Sequence, residues 1–185
     1  MIGNVTTIGK CCFALSVAGL SFAAPGAARA QMPQIPTIQT CTQRAFAYAD
    51  GTTVKIDSRA GGGFSGTFTL DFKIQCNPAT GYPAGSIRFA INMNDSPFTG
   101  TASSTAIHQL AATGKATPTA YASGWCEAKG VLGCRFWLMV ADNNASGKTR
   151  DRDIASFLIL DANGHRMAYG SGPVISGNIK VSPAP

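Results

Sequence analysis

The stretch "GTFTLDFKIQC", Gly66 to Cys76, decides the fold class of this chain. Phe68, Leu70, Phe72, Ile74 and Cys76 alternate without a fault with Thr69, Asp71, Lys73 and Gln75. A period of two is that of a strand with one face buried and one solvated, and strands of that kind belong to antiparallel sheets. Downstream, "SIRFAINMND" repeats the pattern through Ile87, Phe89, Ile91 and Met93, after the turn-rich "NPATGYPAG". Upstream, "CTQRAFAYADGTTVKID" reads as a hairpin, with arms Cys41–Ala49 and Thr52–Asp57 about the turn Asp50-Gly51. The four glycines of "SRAGGGFSG" separate it from the first strand and read as a loop or bulge.

The second half extends the series. "CRFWLMVAD", Cys134 to Asp142, is apolar apart from Arg135 and its terminal Asp, the pattern of a strand buried on both faces. "IASFLILD", the turn Ala162-Asn163-Gly164 and "HRMAYGSG" form a hairpin, and "PVISGNIKV" gives a last strand with a bulge or turn at Ser176-Gly177. Residues 96–123 are rich in Ala, Thr and Ser. There "TASSTAIHQLAAT" fits a short helix as well as a weak strand, before "TPTAYASGWC" resumes an extended pattern. The sum is about eight strands and at most one short helix. It implies an all-β domain, an antiparallel β-sandwich or small barrel.

Residues 1–30 read as a cleaved signal peptide: Lys10, the apolar run "CCFALSVAGLSFAA", then Ala28-Arg29-Ala30 as the cleavage site. Residues 31–185 then form a single exported β domain, periplasmic or extracellular, with no further segment of membrane-spanning length. "QMPQIPTIQT", residues 31–40, reads as an extended arm. Without Lys10 and Arg29, 13 bases face 9 acids, a net charge of +4. The bases are scattered singly rather than striped among aromatics, which argues against a nucleic-acid partner.

Four cysteines remain beyond the signal, an even number that reads as two disulfides in an exported chain. Three pairings are possible, and Cys41–Cys76 with Cys126–Cys134 is favoured. The second pair brackets "EAKGVLG", and its spacing suits a bridge across a short hairpin. With no C-x-x-C, and both histidines far off in sequence, zinc is not expected. In length and early disulfide the chain resembles exported fibre subunits of the pilin kind, themselves β-sandwiches. Residues 31–40 depart from the alternating donor strand of such subunits.

In "ADNNASGKTRDRD", Asp142, Asn144, Ser146, Gly147 and Asp153 occupy positions 1, 3, 5, 6 and 12 of a calcium loop. Against Ca²⁺, Lys148, Arg150 and Arg152 cancel the charge of Asp142, Asp151 and Asp153, and ordinary turn residues explain the segment equally well. No G-x-S-x-G occurs, and His108 and His165 are the only histidines, so no catalytic residue is assigned. Glu127 is the single Glu, and no pair of acids stands out for glycoside hydrolysis. The glycine-rich loop lacks a phosphate-binding pattern, and no cofactor is implied. Tyr82, Tyr121, Trp125 and Trp137 suit a sugar-stacking platform, although core packing is the expected fate of the two tryptophans. The expectation is a non-enzymatic exported domain that binds a protein or glycan partner or sits in a cell-surface or periplasmic structure. A small carbohydrate- or calcium-binding module is the alternative, and a hydrolase with an unrecognised site the second.

Overall fold

A computed structural model describes residues 41–42, 44–56, 65–94, 96, 98–145 and 151–182, all within one unit, Pro36–Pro185. The expected signal peptide and extended arm, residues 1–40, most of the glycine-rich segment, Ser146 and Gly147 lie outside the described residues. Every regular element among those described is a strand: β1 (Phe46–Ile56), β2 (Ser65–Cys76), β3 (Pro83–Asn94), β4 (Gly100–Thr113), β5 (Thr119–Ala128), β6 (Val131–Ala141), β7 (Ile154–Leu160), β8 (Arg166–Ser176) and β9 (Ile179–Ser182). The segment left open between helix and strand is thus β4.

Each of the first seven strands pairs antiparallel with the next, and β8 pairs antiparallel with β1. The meander therefore closes into an eight-stranded barrel, not the two-sheet sandwich that was the first expectation and that the likeness to fibre subunits implied. Alternation fixes which side of a strand is buried, and that is the same in both architectures. What separates them is the union of chain segments more than a hundred residues apart: Thr53 faces Ser176 and Val54 faces Val174. Beyond a break at Gly177, β9 continues in the direction of β8 and pairs with the first half of β1, Phe46 opposite Ser182 to Ala49 opposite Ile179. Gly177 has φ 86°, and a Cβ there would run into the Thr52 backbone, so the break requires glycine.

The Asp50-Gly51 hairpin is also corrected. β1 runs straight through this dipeptide, and both flanking runs pair with β2: Ala49 opposite Phe72, Thr52 opposite Leu70. Asp50 and Gly51 together oppose Asp71, a bulge with Gly51 at φ 54°. The Gly51 N–H donates to the Asp71 carboxylate at 2.6 Å. Asp-Gly supplies left-handed backbone for a turn or a bulge alike, and only strand pairing distinguishes them.

Eight strands enclose a space that side chains just fill. Phe68, Phe89, Phe136 and Phe157, from β2, β3, β6 and β7, meet there, with ring centroids 4.6 Å apart for Phe68 and Phe157 and 5.8 Å for Phe89 and Phe157. The inward positions of β5 are all small (Ala120, Ala122, Gly124, Cys126, Ala128), as are Ala168, Gly170 and Gly172 on β8. Small walls facing large ones let the rings interdigitate. A Cβ on Gly170 would press on Ile56 and Phe157.

Both expected disulfides are present. Cys126 and Cys134 face each other across β5 and β6, joined by the two-residue turn Lys129-Gly130, both with positive φ as the strand twist demands. Cys41–Cys76 fastens the chain entering β1 to the end of β2. The Thr42 N–H donates to Leu110 O on β4 at 3.0 Å, so this segment ties β4 to β2 where the pairing of β3 with β4 stops at Arg88 and Ser103. Two disulfides fit an oxidising compartment.

Candidate functional site

The outer surface changes character around the barrel. On β1–β3 it carries Lys55, Asp71, Lys73, Arg88 and Asn92. On β5 and β6 it carries Tyr121, Trp125 and Trp137, which are 53%, 38% and 43% exposed. Core packing of the two tryptophans is therefore overturned, as is the doubly buried strand. In "CRFWLMVAD", Cys134, Phe136, Leu138 and Val140 point inward, while Arg135, Trp137 and Met139 point out. A run apolar on both faces still divides by twos, and in a barrel no second layer covers the outer half.

The register arranges these rings. Tyr121 lies opposite Met139, Ser123 opposite Trp137 and Trp125 opposite Arg135. Trp137 is therefore diagonal to both β5 aromatics, within reach of each. Tyr121 and Trp125, four residues apart, stand about 13 Å apart along the strand at roughly 3.3 Å per residue. Two adjoining grooves share Trp137 and Ser123. The larger, about 410 Å³, lies among Tyr121, Trp137, Met139 and Leu158. The smaller, about 190 Å³, lies among His108, Trp125, Arg135 and Trp137. The Ser123 hydroxyl donates to Gln109 Oε1 at 3.0 Å, a polar pair at the edge of the larger groove. Tyr82, also exposed, sits in the β2–β3 turn and lines neither groove.

Two irregularities in the pairing of β4 with β5 leave Thr105 and His108 as extra residues. Bulges re-aim side chains, and the His108 ring meets Trp125 edge-on with centroids 6.2 Å apart. Gly124 makes the distortion possible: the Ala106 carbonyl lies where a Cβ would be. On the other side of Trp125, the Arg135 guanidinium sits 5.0 Å from the ring centroid. Nothing in the periodicity of "TASSTAIHQLAAT" marks this bulge. "SGW", with a glycine before an exposed tryptophan, is the only local trace of it.

Of the residues that fit the calcium-loop pattern, Asp142, Asn144 and Asp153 are described, and the structure brings Asp142 and Asp153 together beside β9. Asp153 accepts from the Ile179 N–H at 2.9 Å and from the Asn143 N–H at 3.0 Å, and Asp142 accepts from the Val181 N–H at 3.2 Å. Both carboxylates thus cap the side of β9 turned away from β1. The Asn144 side chain is exposed, while its backbone N–H joins this clasp by donating to the Asp142 carboxylate. Burial pushes the Asp142 carboxyl above its ordinary value; the Val181 N–H opposes that rise and repulsion by Asp153 adds to it. Among the described residues no three or more His, Cys, Asp or Glu are grouped to hold a metal.

His165 stands in the exposed β7–β8 turn with Nδ1 3.2 Å from Asp161 Oδ2. The His165 backbone N–H, above all, holds the Asp161 carboxyl below its ordinary value. Among the described residues no serine hydroxyl hydrogen-bonds to either histidine. Glu127 points outward from β5 and lines neither groove.

No family model, no curated protein and no solved structure matches this chain.

Proposed function

We propose that residues 31–185 form a non-enzymatic exported domain that binds a carbohydrate chain on the aromatic outer face of β5 and β6. The observation that carries this reading is the exposure of Tyr121, Trp137 and Trp125 in diagonal succession along one ladder, with grooves between them. Sugar rings have apolar C–H faces that stack on aromatic rings and hydroxyl edges that need polar partners; Ser123, Gln109 and His108 stand beside the rings to meet them. The barrel interior is filled with phenylalanine, which favours ligand contact from outside rather than through a lumen. The charged side chains on the exterior of β2 and β3 and the apolar interior are the reverse of a lipid-spanning barrel, which favours a domain bathed in water.

Tryptophan fluorescence titrated with soluble oligosaccharides of several backbones tests this. Binding is expected for at least one, with a change in emission as Trp137 is covered. Trp137→Ala should weaken it by about 30-fold or more, as loss of a central anchor worth about 2 kcal/mol does. No binding across the panel, with the thermal melt showing folded protein, would overturn the reading.

A further inference from the structure

The smaller groove differs from the larger in carrying positive charge. Arg135 projects outward directly opposite Trp125 and stacks on it at 5.0 Å. Leu160 on β7 pairs with Arg135 on one side and with Arg166 on the other, so two guanidinium groups flank one leucine at this end of the face. Arg166 stacks over Tyr169 at 4.3 Å. Among the described residues neither arginine has an ion pair; the single one found is His165 with Asp161. Glu127, two residues beyond Trp125, is the nearest acid along β5 and pairs with neither. A guanidinium held over an indole ring by cation–π attraction still has N–H groups to offer a planar, bidentate acceptor, which a carboxylate is.

We propose that the face selects acidic sugars: a hexuronate ring stacks on Trp137 and its carboxylate is bound by Arg135. The inference rests on the carbohydrate reading above and specifies its ligand. Three features converge on it. The cation lines the smaller groove. It adjoins both tryptophans, opposite Trp125 on β5 and two residues before Trp137 on β6. The bulge that aims His108 at Trp125 closes the groove's other wall with a further polar group. A neutral sugar would leave the Arg135 N–H edge facing only water.

The test compares a soluble homopolymer of a hexuronic acid with its methyl ester and with a neutral polymer of the same linkage, by calorimetry at two salt concentrations. The acid form is expected to bind about 10- to 100-fold tighter than the ester, the ratio that one hydrogen-bonded charge supplies. Arg135→Gln should abolish the difference while leaving the melting temperature unchanged, and Trp137→Ala should weaken binding of all three polymers. Arg88→Gln, on the exterior of β3, should change nothing. Equal binding of acid and ester overturns the acidic preference and leaves the carbohydrate reading standing. So does a preference lost as readily with Arg88→Gln as with Arg135→Gln, which would assign it to diffuse charge. Binding of none of the polymers overturns both readings. So does self-association abolished by Trp137→Ala without polymer binding, which would give the face to a second copy of the chain.

Discussion

Replacing Asp153 with Ala should cost about 2–3 kcal/mol of stability, and the structure says where each part arises. Asp153 is 5% exposed, and its two oxygens accept from two backbone N–H groups. The Ile179 N–H belongs to a fully buried residue on β9, so its loss carries the full penalty for an unpaired buried donor, about 1–3 kcal/mol. Asn143 is half-buried, water replaces its partner, and the loss there is about 0.5–1 kcal/mol. Relief of the repulsion between Asp153 and Asp142 returns part of the total. For a domain of this size the melting temperature should fall by about 5–10 °C. Urea unfolding of residues 31–185 with the disulfides intact is the assay: the midpoint should drop at constant slope. Asp153→Asn, which keeps one acceptor oxygen, should lose about half as much. A change below about 0.5 kcal/mol for Asp153→Ala, the range of an ordinary surface substitution, would refute the clasp. Added Ca²⁺ is expected to leave the wild-type midpoint where it is. A rise that Asp153→Ala abolishes would mean that the loop holds the metal and that the carboxylates are not spent on β9.

The remaining expectations concern neighbouring features. Because burial raises the Asp142 carboxyl above 3.8, the folded chain binds that proton more readily than the unfolded one. Its contribution is fully present below pH 3.8 and is lost as pH rises through the raised value, so stability falls with pH there. Asp142→Asn keeps an acceptor for Val181 and removes the charge; its melting temperature relative to wild type should climb between pH 4 and pH 7, and a flat difference would contradict the assignment. Gly124→Ala should destabilise the barrel by about 2 kcal/mol or more and disturb the Trp125 environment in near-ultraviolet circular dichroism, since the Ala106 carbonyl occupies the new methyl's place. Removing Cys41–Cys76, with its sequence separation of 35, should cost about 4 kcal/mol. Removing Cys126–Cys134, with a separation of 8, should cost about 2.5 kcal/mol, and the reverse order in denaturant titrations would contradict the loop-entropy account.

The sequence by itself determined which residues of the clear strands face inward. Phe68, Leu70, Phe72 and Ile74 on β2, and Ile87, Phe89, Ile91 and Met93 on β3, are all buried, because a pleated backbone leaves alternation no other outcome. The two disulfides were legible from an even count and one short spacing. β4 was not, because its inward positions are mostly small or polar and a barrel needs such walls opposite its phenylalanines. The platform was half legible. The aromatic residues were visible in the chain, yet "CRFWLMVAD" carries the same letters whether its outer half meets a second layer or water. Asp142 and Asp153 stood out as chemistry while their partners, two amides on β9, lay beyond any local pattern. What tertiary structure alone decided was closure. Once β1 paired with β8, the barrel had no second sheet to cover Tyr121, Trp125 and Trp137, and the β4 bulge set His108 beside them. Those pairings join distant segments through backbone groups that every residue possesses, so no side chain announces them in advance.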